Sequence, residues 1–237
     1  MPPPDSSTPP EPVTSLDDPR AIQILSTEHW SLLSARSLAY NEAFTRGGMF
    51  LSFLSMSFVA LALLSQAMAF DQQFLIIAAI VLAFDLIIGL TTYGRIIGAN
   101  ADDLRAVHGM SRIRHGYTQI APIVTPYFIT GTHDDPKGVM ISYGNPPETY
   151  PAVIWYGLTT SGGMIGLISS MVGGVLAGVV TLLFGGSGGI AIGAAVAGTL
   201  VVFTLETVLT MGAIERVSAS LPVLFPSDDE HSASPTD

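Results

Sequence analysis

Cysteine is absent from the 237 residues, and charge is scarce: Asp, Glu, Lys and Arg together make up 12% of the chain. The first absence excludes disulfides, thiolate zinc sites and a cysteine nucleophile. The second sets the chain apart from soluble domains, in which about a quarter of residues are charged. Basic residues number nine against nineteen acidic ones, for a net charge of −10. They are few and interleaved with acids, which argues against nucleic-acid binding. Much of the acid lies in the two ends of the chain, so its excess says little about partners. What is abundant is apolar: 49% of residues, gathered in blocks of about twenty. That pattern argues against a soluble enzyme and against a disordered chain.

Residues 1–19 hold seven of the sixteen prolines with Ser, Thr and Asp, and read as a disordered tail. They do not read as a signal peptide, because a basic start is missing and no apolar run follows within thirty residues. Residues 227–237 read as a second disordered tail, the end of a C-terminal cytoplasmic segment, 213–237. Residues 20–47 read as a cytoplasmic or interfacial helix. Ser26 or Thr27 can cap it, Glu28 suits its first turn, and Trp30, Leu33, Tyr40 and Phe44 recur at helical spacing. Glu42 and Arg46 form an i,i+4 pair.

Four apolar blocks follow: 48–70 without a charge, 74–94 with only Asp85, 164–184 without a charge, and 190–211 with only Glu206. Each can cross ~30 Å of hydrocarbon at ~1.5 Å per residue. The turns between them, Asp71-Gln72-Gln73 and Gly185 to Gly189, contain no basic residue. Every Lys and Arg lies before block one (Arg20, Arg36, Arg46), between blocks two and three (Arg95, Arg105, Arg112, Arg114, Lys137) or after block four (Arg216). The positive-inside rule then places both termini and residues 95–160 in the cytoplasm. The expected fold is an all-α membrane protein of two transmembrane hairpins, 48–94 and 161–212, joined by a cytoplasmic amphipathic helix and loop. In that central segment Ile97, Leu104, Val107, Met110, Ile113, Tyr117 and Ile120 continue block two as an amphipathic helix, which Pro122 and Pro126 end. Residues 129–152 read as loop, and Trp155 and Tyr156 as inner-interface aromatics.

Asp85 is the most informative residue. It is the twelfth of block two, close to the bilayer midplane. An aspartate there costs ~3 kcal/mol on an insertion scale, which a dozen large apolar residues at roughly −0.5 kcal/mol each outweigh. Ala78, Leu82, Asp85, Gly89 and Thr92 share one helix face, whose small and polar members point to protein, not lipid. Two readings stand: a proton or cation site, or a protonated structural residue bonded to Ser52, Ser55, Ser57 or a threonine of block four. Glu206, about five residues from the inner end of block four, is expected to snorkel or to pair with Arg46 or Arg95.

Small residues recur at four-residue spacing as Gly162, Gly166, Ser170, Gly174 and Gly178, and again as Gly185, Gly189, Gly193 and Ala197. Such stripes allow close helix packing in lipid. They serve either the second hairpin internally or a glycine-zipper interface between subunits. Other matches carry less. Gly185 to Gly189 fits serine-hydrolase patterns around Ser187, but the only downstream histidine is His231 and no strand precedes it. His108 and His115 lie on the central helix, and His133, Asp134 and Asp135 sit together without a further ligand at metal-binding spacing. No catalytic residue, metal site or cofactor is expected.

Two stretches, TEHWSLLSARSLAYNEAFTRGGMFLSFLS (27–55) and MSRIRHGYTQIAPIVTPYFITGTHDD (110–135), carry a resemblance. They resemble a family of bacterial four-helix integral membrane proteins without an assigned function, over about residues 20–215. That resemblance implies a bacterial inner-membrane protein and transfers no functional residue. The layout is also similar, in architecture only, to two-helix membrane effectors of bacterial conflict systems. The expectation is a non-catalytic membrane component that engages a cytoplasmic protein partner through residues 20–47 and 95–160. The alternative is an oligomeric ion- or proton-conducting pore or small transporter using Asp85. The topology predicts that a reporter fused at Gln72 or Ser187 reads outside and one at residue 130 reads inside. The opposite pattern in a reporter-fusion assay would overturn it.

Overall fold

Pro19 opens α1 (Pro19–Met68), where its missing N–H has no helical acceptor to serve. The Asp18 carboxylate accepts from the Arg20 amide at 2.8 Å and pairs with the same residue's guanidinium. The helix therefore starts well before Ser26 and Thr27, which do not cap it. Thr27 lies inside the helix and donates back to the Gln23 carbonyl. The computed structural model describes residues 13–144 and 157–227, and every regular element among them is helical. After α1 come α2 (Gln72–Ile120), a 3-10 helix (Pro122–Tyr127), α3 (Pro136–Ser142), α4 (Ser161–Leu183) and α5 (Gly188–Ser220). Trp155, Tyr156 and most of both expected tails lie outside the described residues.

α1, α2, α4 and α5 are each long and apolar enough to cross a membrane. α1 and α2 have 50 and 49 residues, about 75 Å each at helical rise, so only part of each fits in ~30 Å of hydrocarbon. Ala69 and Phe70 join them in left-handed backbone, at φ 50° and 58°. The Asp71 carboxylate then accepts from the Phe74 amide at 2.8 Å, so Asp71 caps α2 and the turn falls slightly earlier than its expected place. Between α4 and α5, Gly185 has φ +80°. Its amide donates to Leu182 and that of Gly186 to Thr181, the paired bonds that close a helix through a left-handed glycine. Ser187 caps α5 by accepting from Ile190, a structural role for the serine of the hydrolase-like pattern.

The central segment holds one surprise. Residues 129–152 read as loop, yet α3 forms inside them. The Asp135 carboxylate accepts from Gly138 and Pro136 takes the first helical position. The Pro and Asp that suggest a turn are here a helix start.

The described residues divide into two compact units: 13–35, 106–144 and 223–227 form the first, 36–105 and 157–222 the second. In the first, Val107, Met110 and Ile113 of α2 are buried. Gly109 and Gly116 leave room for Leu32 and Leu25 of α1, whose methyls would lie 2.9 Å and 3.2 Å from added Cβ atoms. In the second, Phe50, Leu54, Leu82, Ile96, Ile165 and Val172 make the core. There α1 and α2 run antiparallel, since Arg36, Glu42 and Ser57 meet Asp103, Arg95 and Asp85 in that order.

α4 and α5 pack through small residues, but only the first stripe takes part. Cβ atoms at Gly174 would lie 2.0 Å from Thr199 Oγ1 and 2.5 Å from the Ala195 carbonyl, and at Gly178 3.2 Å from the Ala191 carbonyl. Gly185, Gly189 and Gly193 face open space. The contact face of α5 is instead Ala191, Ala195, Gly198 and Val202. A strict four-residue stripe drifts around a 3.6-residue helix, whereas mixed steps of three and four hold one face. Gly174→Leu should therefore destabilise the protein by about 3 kcal/mol, at the upper end of overpacking, and Gly193→Leu should be close to neutral. Thermal unfolding in detergent checks this; equal losses would mean that α4 and α5 meet through another face.

Candidate functional site

One face of α2 in the second unit, from Ala78 through Leu82, Asp85 and Gly89 to Thr92, is buried along its length. Asp85 has no exposed surface. The Ser57 hydroxyl of α1 donates to its Oδ1 at 3.0 Å, while Oδ2 is buried without a hydrogen bond. Of the partners suggested by sequence, the structure uses Ser57. Ser52 and Ser55 donate instead to carbonyls of their own helix.

Glu206 departs from expectation. It neither snorkels nor meets an arginine, because Arg46 and Arg95 both turn to Glu42, at 3.1 and 2.7 Å. Glu206 is 1% exposed. The Ser170 hydroxyl of α4 donates to its Oε2 at 2.9 Å, and Oε1 is buried without a hydrogen bond. The physical reason is local. Glu42 already lies near both arginines at the end of the apolar block, while Gly166 opens space beside Glu206. A Cβ on Gly166 would lie 3.1 Å from Oε2 and 2.8 Å from the Tyr93 ring.

The two carboxyls share a polar setting that sequence reasoning did not assemble. Asp85, Gly89 and Tyr93 mark successive turns of α2, each ~6 Å apart along the axis. Ser57 stands against Asp85. Ser169, fully buried, stands against Gly89, with its Oγ 3.0 Å from where a Cβ would be. It also lies beside the Glu206 carboxyl. Tyr93 donates to the Glu206 backbone carbonyl at 3.3 Å and shares a 2.8 Å bond with Thr210. Ser169, Tyr93 and Thr210 were missed. The available signal was the serine pair at 169–170 in a block without charge. Among the described residues neither Asp85 nor Glu206 pairs with a basic side chain.

The first unit has its own polar centre. Asp134 and Asp135 are fully buried. Asp134 accepts from the Leu224 and Phe225 amides, at 3.0 and 2.7 Å, and from Arg112 at 2.7 Å. Asp135 accepts from the Ser227 amide at 2.8 Å. These carboxylates clasp the chain that follows α5. His115 stacks on Phe225, with centroids 4.3 Å apart, and lies 5.5 Å from the His133 ring. Among the described residues no three His, Cys, Asp or Glu side chains converge to hold a metal.

Comparison with protein-family models, with curated proteins and with solved structures finds no match. The geometry alone defines the class: an all-helical protein with four helices able to span a membrane. Two uncompensated carboxyls lie buried inside its second unit.

Burial works against the charge on Asp134, but the Leu224 and Phe225 amides and Arg112 outweigh it and hold the carboxyl below its usual range. Asp135 is held low in the same sense: burial opposes, and Ser227 and Gly138 prevail. His29, His108 and His115 are held down chiefly by burial. In both cases the folded form binds protons less readily than the unfolded chain, so stability is lost as pH falls. The first unit should weaken in two stages, below about pH 6.5 from the histidines and below about pH 4 from the aspartates. Asp134→Asn should shrink the lower stage to the share carried by Asp135 and cost about 2 kcal/mol. Limited proteolysis following release of residues 223–227 across pH checks this; release that increases with rising pH would refute it.

Proposed function

We propose that this is a multi-pass protein of the bacterial inner membrane that translocates protons or small monovalent cations through its second unit. Asp85 and Glu206 are the charge-binding groups. The two hairpins cross the bilayer with both termini and the 95–160 segment in the cytoplasm, as the distribution of basic residues supports. The reading rests on one observation: two carboxyls buried in apolar helices, without a cationic partner among the described residues and each with one oxygen unbonded. Ionisable groups inside a membrane are expensive and mark ion or proton pathways. A purely structural role would be served as well by an amide or a hydroxyl, which keep the hydrogen bonds to Ser57 and Ser170 without the cost of ionisation.

A second reading, engagement of a cytoplasmic partner, has its own support in the first unit. Ile123, Tyr127 and Ile129 are 80–92% exposed on one short stretch, beyond what scattered surface apolar residues require. The two readings are compatible, since each concerns a different unit.

Purified protein in liposomes tests the first reading. Ion or proton flux should be present in the wild type and fall by about a hundredfold in Asp85→Asn, the lower end of what a positioned proton-transfer group contributes. Undiminished flux in Asp85→Asn, with folding intact, would remove Asp85 from the pathway.

A further inference from the structure

Beyond the two carboxyls, the second unit contains a cavity of about 310 Å³ lined by Tyr40, Phe44, Ile96, Asn100, Thr160 and Gly162, among others. It lies at the α4 start, where Thr160 caps the helix by accepting from Gly163. On α4, Gly162, Gly166 and Ser170 follow at one-turn steps. A Cβ at Gly162 would lie 3.4 Å from Ile96 and 3.8 Å from the Asn100 amide nitrogen. One turn further, Gly166 lies against both Tyr93 and Glu206; the next turn brings Ser169 and Ser170 to Glu206, and Ser169 to Gly89. Asp85 is one turn beyond Gly89. Past Asp85 the same face of α2 carries Leu82, Ala78 and Phe74, all buried and apolar. The polar track thus opens at one end and stops at Asp85.

We infer that the species carried is the proton, and that it enters from this cavity, reaching Glu206 first and Asp85 second. This rests on the translocation reading above. The ligand chemistry decides between proton and metal cation. A hard cation stripped of water asks for six or more oxygens around it. Here Ser57 and Ser170 turn their hydrogens, not their lone pairs, toward the carboxyls. The free oxygens Asp85 Oδ2 and Glu206 Oε1 are each buried singly, without a hydrogen-bond partner. One lone pair is what a proton needs, and a protonated carboxyl is neutral, which removes the cost of a bare charge in hydrocarbon.

The transfer balances simply. An O–H bond at Glu206 breaks as one at Asp85 forms. The Ser169 hydroxyl, which at rest donates to the Ile165 carbonyl at 2.7 Å, rotates away from it, gives up its hydrogen toward Asp85 and takes the one from Glu206, and the net charge of the pair is unchanged. One water molecule, hydrogen-bonded on both sides, spans the remaining turn of ~6 Å. Tyr93, whose ring lies against Gly166, positions the glutamate through its backbone carbonyl. In the proposed topology the cavity faces the cytoplasm, so this conformation loads from inside.

The test uses the full-length protein in liposomes, with a pH gradient and, separately, sodium or potassium gradients at equal pH. The wild type should move protons and neither metal ion. Glu206→Gln, and Gly162→Leu, which fills the cavity throat, should each lower proton flux about a hundredfold. Glu206→Asp should restore part of the flux, and Gly193→Leu, on an open face of α5, should leave it unchanged. Far-ultraviolet circular dichroism and monodispersity in detergent show that each variant is folded. Sodium or potassium flux sensitive to Asp85→Asn would keep the translocation reading and overturn the proton. Full proton flux in Glu206→Gln or Gly162→Leu would overturn the route. No flux of any ion from folded wild type would overturn the translocation reading itself.

Discussion

A carboxyl group in a low-dielectric interior must be neutral, paired with a cation or richly hydrogen-bonded. Asp85 and Glu206 are not paired, and each receives one serine hydroxyl on one oxygen. Charged, each would carry a desolvation penalty of several kcal/mol that one neutral donor does not offset. Much of the second unit follows from this constraint. Ser57, Ser169 and Ser170 are buried where apolar residues would otherwise be expected. The nearby arginines are drawn off by Glu42, and among the described residues no cation pairs with either carboxyl.

Close backbone approach is the means by which these groups meet. Serine is short, and its hydroxyl reaches a neighbouring helix only where a glycine admits it. Gly89 admits Ser169 and Phe50; Gly166 admits Tyr93 and Glu206; Gly174 and Gly198 bring α4 and α5 together. In lipid the hydrophobic effect does not drive one helix onto another, so such packing, with buried polar contacts, supplies the association energy. The same glycines that hold the helices together therefore also place the polar groups.

Much of this was legible in the sequence, for physical reasons that differ by element. Four helices could be read because an apolar run of twenty residues with at most one charge has few other solutions. The α2 face through Ala78, Leu82, Asp85, Gly89 and Thr92 followed from the period of the helix. The fate of Glu206 did not. Sequence position shows that an arginine lies within reach, but not that Glu42 engages both arginines first. The glycine stripe at Gly185, Gly189 and Gly193 does not serve the hairpin, because it treats four residues as a turn; α5 meets α4 through Ala191, Ala195, Gly198 and Val202. α3 was hidden because Asp-Pro signals both a turn and a helix start, and only the Asp135–Gly138 bond distinguishes them. The clasp of Asp134 on Leu224 and Phe225 joins residues ninety positions apart, a contact that no local pattern encodes.

The placement of polar and apolar groups along α2 also gives the second unit a direction. From Asp85 toward Tyr93 the buried face meets hydroxyls and a second carboxyl; from Asp85 toward Phe74 its buried members are Leu82, Ala78 and Phe74, all apolar. A group at that boundary exchanges with one side far more readily than with the other, because an ion or an unpaired hydroxyl cannot be solvated among Leu82, Ala78 and Phe74. Exchange with the far side would require those residues to separate. α4 and α5, locked through Gly174 and Gly198, are poorly suited to supply that movement, since any shift there drives backbone into backbone. The α1–α2 contact around Leu54 and Leu82 is made by side chains of ordinary size, which can change rotamer as packed helices slide. In the proposed translocation, movement to the far side would therefore arise where α1 meets α2, next to Asp85, and the tight pair α4 and α5 would serve as the frame against which it occurs.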